Sequence, residues 1–325
     1  MVFDFTPSEQ FNFMEAFAER VGATLLGGTL RLPPWLGIGS IRRVRLNPDF
    51  SLLIHQYVLT EELILRRKAT DNTADRVNVL FQLHAGPDGQ PAPNKAAPID
   101  RRDAFTVRIT SPDITSELGF SAHSAIFFVV LSMNRSSLYN LLRINIMNGV
   151  VTQVLVGRQG FLFYETMPAD AQKILKRIVA VDTQSELGEF RVWILVQELI
   201  CWLFDRLLAR EISRHRPIYR VDAEQLERVR RAVVADLSVA PQLPQLSQLA
   251  GMSTSKLTDL YKQVFGDSIY DYFQKARMDE AGHLLKGGCL VSEVGHRLGF
   301  SNLSHFSRLF GKHYGITPKR FATER

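Results

Sequence analysis

The sequence predicts an α+β protein: a β-rich first half, a long helical segment, and an all-α C-terminal part. That last part holds two helix-turn-helix units joined by a linker helix. Three observations predict this. Short runs of Val, Ile, Leu and Phe, broken by Gly/Pro turns, fill roughly the first 160 residues. Apolar residues spaced three and four apart take over from Pro168. A helix–glycine–helix pattern then occurs twice after Asp222.

The strand segments are Ser51–Leu59, Leu63–Arg67, Arg76–Leu83, Phe105–Ile109 and Ala125–Met133. Ala85–Pro98 is crowded with Pro and Gly and reads as a loop. Many short strands without alternating long helices predict an antiparallel sandwich or small barrel. A helix over Pro168–Val179 follows, with Ala171, Ile174, Leu175 and Ile178 on one face. A longer one covers about Leu187 to Ile212 and is apolar around most of its circumference, so it is buried on more than one side. Two readings of this helix stand: it packs only on its own domain, or Trp193, Gln197, Ile200, Phe204 and Leu207 contribute a dimer interface. The expected divisions are 1–165 (β-rich domain), 166–213 (helical segment), 214–221 (basic linker) and 222–325 (all-helical domain). Asp222 with Gln225 is read as a capping box that opens the last domain.

The bulk composition narrows the class. At 325 residues the chain exceeds one typical domain and fits two. Its net charge of +6 permits a polyanionic partner without demanding one. The two cysteines, Cys201 and Cys289, form no CxxC pair, which argues against structural zinc and suits a reducing compartment. No signal peptide is legible, and Val192–Leu208 is too short and too charged to span a bilayer, so a cytoplasmic protein without membrane contact is expected. His55, His84 and His123 lack metal-ligand spacing and read as structural or surface residues. The clusters Arg42, Arg43, Arg45 and Arg66, Arg67, Lys68 read as solvated surface or as contacts for an anionic ligand. No GxSxG, P-loop or GxGxxG is present, and no enzyme or cofactor is expected.

The repeated helix pairs carry the chemistry, over 242–263 and 289–312. In the first, a short helix at Leu246–Ala250 meets Gly251, and Ser253 caps a second helix over Thr254–Phe265. Leu257, Leu260, Tyr261 and Val264 point inward. Ser255, Lys256, Thr258, Asp259 and Lys262 point outward. In the second, Val291–Leu298 meets Gly299, and a helix runs from Asn302 to Tyr314. Phe306, Leu309 and Phe310 point inward; Leu303, Ser304, Ser307, Arg308 and Lys312 point outward. A single spacer helix over Ser268–Lys286 would be about 28 Å long. Major grooves repeat about every 34 Å along one face of B-DNA, so the spacer can hold two recognition helices in adjacent grooves.

From about Asp222 to Ala322 the chain resembles the AraC/XylS family of bacterial regulators. The first pair shows Leu249-Ala250, Ser253, Leu257, Tyr261-Lys262, Gly266, Arg277 and Leu284-Leu285. The second shows the run GFSNLSHFSRLFGKHYGITPKRF, from Gly299 to Phe321. The resemblance implies a transcription regulator, an activator by analogy, that binds double-stranded DNA and works with RNA polymerase. It implies base reading by Ser255, Thr258 and Asp259, and by Leu303, Ser304, Ser307 and Arg308. Arg308 either pairs with a guanine or anchors the backbone. Lys262 and Lys312 would contact phosphates, Leu303 would meet a thymine methyl or cover its helix, and Lys256 would be a further contact or merely solvated. For the first half the resemblance implies a jelly-roll (cupin-like) sensor, a homodimer, and a small-molecule effector of unknown identity. Four positions depart from the family pattern: Asp259 and Ala322 stand where arginine is usual, Gly295 for alanine, and Gly311 for lysine. Asp259 motivates an alternative, a protein-interaction module with weakened DNA binding. A jelly-roll metal enzyme fused to a DNA-binding domain lacks its His/Glu ligand set, and a DNA-alkylation repair regulator lacks its cysteines.

Overall fold

The computed structural model describes residues 1–8, 11–70, 75–83, 105–157, 160–210 and 218–323. His84, the expected loop Ala85–Pro98, residues 211–212 and residues 214–217 of the expected linker lie outside them. The chain divides into two compact units, Met1–Arg220 and Val221–Arg325.

The first unit is built on an eight-stranded antiparallel sheet. Strands β2 (Leu25–Leu26), β3 (Thr29–Arg31), β4 (Gly37–Asn47) and β5 (Phe50–Leu59) lie side by side in sequence order. The chain leaves this sheet for β6 (Leu63–Arg67) and returns for β7 (Arg76–Leu83) and β8 (Phe105–Thr110). It leaves again for β9 (Ser116–Phe120), and β10 (Ala125–Asn134) then slots between β5 and β7. Strand β11 (Leu162–Thr166) pairs with β8 at the edge. A small sheet of β1 (Val2–Phe5), β6 and β9 completes the strands, with β1 parallel to β6.

Alternation along each strand sends neighbouring side chains to opposite faces. Leu52 and Ile54 of β5, and Phe127, Val129 and Leu131 of β10, join one core with the helices that follow. Phe128 joins the other core, with Phe3, Leu63, Leu65 and Phe120 of the small sheet. Helix α1 (Phe13–Val21) seals that side with Met14, Phe17 and Val21, capped by Asn12, whose side chain accepts from the Met14 amide. It is a departure from the all-strand expectation, as are α2 (Arg135–Leu142) and α3 (Gly149–Leu155). Each is under three turns long and follows an Asn cap, so the strand-rich surroundings outweigh its brief period.

Helices α4 (Ala169–Ala180) and α5 (Gly188–Leu208) pack on the outer face of the large sheet. This corrects the proposed dimer set. Ile200, Phe204 and Leu207 are inside the unit's own core. Trp193, its ring 5.0 Å from Phe50, and Gln197 are half-buried. The solvent stripe of α5 is instead Phe190, Ile194, Glu198, Cys201 and Asp205. No helix among the described residues is long and apolar enough to cross a membrane.

The second unit is all helical: α6 (Arg220–Ala235), α7 (Leu243–Ala250), α8 (Thr254–Phe265), α9 (Ile269–Lys286), α10 (Val291–Arg297), α11 (Leu303–Tyr314) and α12 (Pro318–Thr323). Asp222 falls inside the first turns of α6 rather than capping it. Central helix α9 contacts α8, α10, α11 and α12. Its buried side carries Ile269, Phe273, Ala276, Met278, Ala281 and Leu285.

Candidate nucleic-acid interface

Helices α7 and α8 meet at Gly251, whose φ of 60° is left-handed. Ser253 then starts α8 by accepting from the Lys256 amide at 3.3 Å. Leu257, Leu260, Tyr261 and Val264 are buried, so the opposite face of α8 is turned to solvent. Ser255 and Lys262 are exposed there, and Thr258 and Asp259 are half-exposed. The Thr258 hydroxyl donates to the carbonyls of Thr254 and Ser255, at 3.0 and 3.1 Å. Lys256 belongs elsewhere: its Nζ lies 2.7 Å from Oδ1 of the buried Asp222 on α6. This corrects its placement among the outward contacts, since the pair locks α8 to α6. The sequence hid it because the two residues are 34 apart.

The second pair repeats the plan. Helix α10 ends at Leu298, Gly299 turns the chain with φ 77°, and Asn302 caps α11 by accepting from the Ser304 and His305 amides. A side chain at Gly299 would place its Cβ 2.0 Å from the Ser238 carbonyl oxygen in the α6–α7 connection. Glycine is therefore required there both by conformation and by the close approach. Phe306 and Phe310 are buried. Ser304, Arg308 and Lys312, four residues apart, are exposed along one stripe, with Ser307 half-exposed beside them. His305 is exposed next to Ser304, one step along the same first turn. Leu303 leans on α10: a Cβ at Gly295 would lie 2.5 Å from its Cδ2. The departure at Gly295 thus makes room for Leu303, which covers its helix.

Arg277 holds this turn against α9. It is buried, donates to the Leu298 carbonyl, and stacks 3.8 Å from the Phe300 ring centre. Burial lowers its pKa.

The two pairs and α9 coincide with a family match. The family described as "Helix-turn-helix domain" matches residues 246–324. The chain is similar to the "HTH-type transcriptional activator Btr" of Bacillus subtilis (strain 168), 29% identical over 126 residues, or 38% of this chain and 22% of the relative. It is also similar to the "Transcriptional activator AggR" of Escherichia coli, 46% identical over 50 residues, 15% of this chain and 19% of the relative. The matches thus span about a fifth of the length of these two curated relatives. A probable AraC family transcriptional regulator from Rhodopseudomonas palustris CGA009, known as a crystal structure, is similar at 24% identity and TM-score 0.28, over 30% of this chain and 94% of that one. The C-terminal unit carries a helix-turn-helix domain of the AraC type, over residues 246–324.

Proposed function

We propose that the protein is a sequence-specific regulator of transcription that binds double-stranded DNA through both helix pairs of its second unit. The observation that carries this is the stripe of Ser304, Arg308 and Lys312 on α11, exposed while Phe306 and Phe310 anchor the opposite face. In this reading α8 and α11 are the recognition helices and enter successive major grooves. At 18 residues α9 is about 27 Å long, close to the distance between those grooves. Ser304, Ser307 and Arg308 read bases from α11, with His305 at its edge. Ser255, Thr258 and Asp259 read from α8, where Asp259 can accept from a cytosine amino group. Lys262 and Lys312 hold phosphates. Leu303 and Lys256 are packing and locking residues instead.

The relatives' names support activation, and an activator works with RNA polymerase. The first unit, with its two sheets, is read as a jelly-roll sensor for a small-molecule effector in a cytoplasmic homodimer. The dimer contact is assigned to the α5 stripe of Phe190, Ile194 and Cys201, because those apolar side chains are left at the surface.

Footprinting tests the reading. Full-length protein is bound to fragments from upstream of its own and neighbouring genes, with competitor DNA, at two salt concentrations. Protection over about two helical turns is expected for one subunit and about four for a dimer. Arg308→Ala should weaken the specific site by about tenfold or more, the worth of one good base contact. Uniformly weak binding that ignores this substitution would overturn the reading.

A further inference from the structure

The face of the large sheet turned away from α4 and α5 bounds a cavity of 860 Å³, a size typical of small-molecule sites. Strand pairing sorts its floor into rows. Arg45, Ser51, Ser132, Asn78 and Thr110 are direct partners across β4, β5, β10, β7 and β8. Two residues further along each strand come Arg43, Leu53, Val130, Leu80 and Arg108. The next row contains His55 and Phe128, stacked with ring centres 4.0 Å apart. Burial deepens in the same direction. Arg45 and Arg76 are exposed at the mouth, Leu53 and Val130 are half-buried, and His55 and Phe128 are each 1% exposed. Phe5, Phe11 and Phe13 add apolar wall. The cavity is therefore basic and polar at its mouth and apolar at its depth.

Its charge is one-sided. Arg43, Arg45, Arg67, Arg76 and Arg108 line it, and no acidic side chain does so among the described residues. Three of the guanidiniums have neutral partners. Arg67 donates to the Ser111 and Ile114 carbonyls at 3.2 and 2.9 Å, Arg108 to the Ser116 hydroxyl at 2.6 Å, and Arg43 to the Asn12 side-chain oxygen. Arg45 and Arg76 make no side-chain hydrogen bond or ion pair to any described residue. Burial and the nearby Arg108 push Arg67 down to about 10, with Asp113 opposing; burial and Arg45 lower Arg43, with Glu15 opposing. Five arginines with no carboxylate among the described lining residues, beside a low-dielectric cavity, attract an anion, and half-buried Leu53 and Val130 gain by being covered. Neutral His55 supplies no charge at the bottom.

We propose that this cavity binds one elongated organic anion, its carboxylate or phosphate held at the mouth by Arg45 and Arg76 and its apolar body lying over Leu53, Val130 and Phe128. As an effector site it rests on the reading of the first unit as a sensor. A site built this way selects for both parts at once. A free inorganic anion has nothing to cover the apolar floor, and an uncharged chain leaves the arginines unpaired.

The test uses full-length protein and anilinonaphthalene sulfonate, an apolar ring system with one anionic group, as the fluorescent probe. Dodecanoate, dodecyl phosphate and dodecanol are compared as displacing ligands below their micelle concentrations. Both anions should displace the probe at concentrations at least tenfold lower than dodecanol, and the stronger of the two identifies the head group. Val130→Trp, which fills the floor, should abolish displaceable binding. The double variant R45A/R76A, altered only at exposed positions, should erase the preference for anions and keeps the proposal falsifiable where Val130→Trp does not fold. Equal displacement by dodecanol, or an anion preference unchanged in R45A/R76A, would overturn it. Footprints run with and without dodecanoate separate this site from the sensor reading. Anion binding that leaves DNA protection unchanged keeps the site and removes its sensory role. Intact DNA protection without anion binding removes the site alone.

Discussion

At the scale of single residues, burial decides more than identity does. His55 sits against Phe128 and 3.5 Å from the Tyr57 hydroxyl, and burial pushes its pKa down to about 3. The unfolded chain binds that proton near pH 6.5, so between 6.5 and 3 it holds more protons than the folded one. Stability from this group is present above about pH 6.5 and is lost as pH falls through that window. The first unit should lose about 2 kcal/mol between pH 7 and pH 5 on this account. Trp35, Trp193 and Trp202 are the chain's three tryptophans and all lie in that unit. Urea titrations followed by tryptophan fluorescence at the two pH values therefore measure it. His55→Phe should remove most of the difference, and an unchanged pH dependence would show that other groups cause it. Lys256 gives the same lesson in the second unit. Its outward position on the α8 wheel is real, yet buried Asp222 takes its charge at 2.7 Å. A lysine beside a buried, partly unsatisfied carboxylate is a lock, because freeing it leaves that carboxylate uncompensated.

At the scale of elements, turns carry the strictest requirements. Gly251 and Gly299 occupy matching places in the two helix pairs and share a left-handed φ. Around Gly251 a Cβ would meet nothing within 4 Å, whereas at Gly299 it would strike the Ser238 backbone. Gly251→Ala should therefore cost only the conformational penalty, about 1 to 2 kcal/mol. Gly299→Ala should cost that and a forced backbone shift, about 3 kcal/mol or more. Hydrogen exchange of peptides from residues 221–323 measures both, and equal loss of protection would show that the Ser238 loop yields freely. The helices themselves were largely legible. The apolar spacing marked α8 and α11 to within a residue, because capping residues and terminal glycines bracket them. Helices α1, α2 and α3 were not, although α1 carries Met14, Phe17, Ala18 and Val21 at helical spacing. A nine-residue helix among strands offers too few turns for its period to stand out.

At the scale of the whole molecule, each unit closes its own core, and what remains outside is available for assembly. Helix α5 gives Val192, Leu195, Leu199 and Leu203 to its sheet and leaves Phe190 and Ile194 60% and 49% exposed. On the proposed dimer, Ile194→Asp should give a monomer in analytical ultracentrifugation without changing the fluorescence of the folded first unit. The footprint should shorten with it, from about four helical turns to about two. A dimer that survives the substitution would move the contact away from this stripe.

The sequence by itself determined the helix pairs, the Ser253 cap, their glycine turns and the polar stripe on α11. These depend on contacts within one or two helical turns, and local periodicity records them directly. It also determined strands β5, β6, β7 and β10 nearly to the residue, because short runs of Val, Ile, Leu and Phe bounded by turns mark them. Only the tertiary structure decided the rest. It turned Ile200, Phe204 and Leu207 inward, paired Lys256 with Asp222, set Leu303 over Gly295, and stacked Arg277 under the second turn. It also brought Arg43, Arg45, Arg67, Arg76 and Arg108 from four strands to one cavity. Each of these joins residues far apart in the chain. Which face of an apolar helix or basic strand is buried depends on what packs against it, and that partner is not written beside it in the sequence.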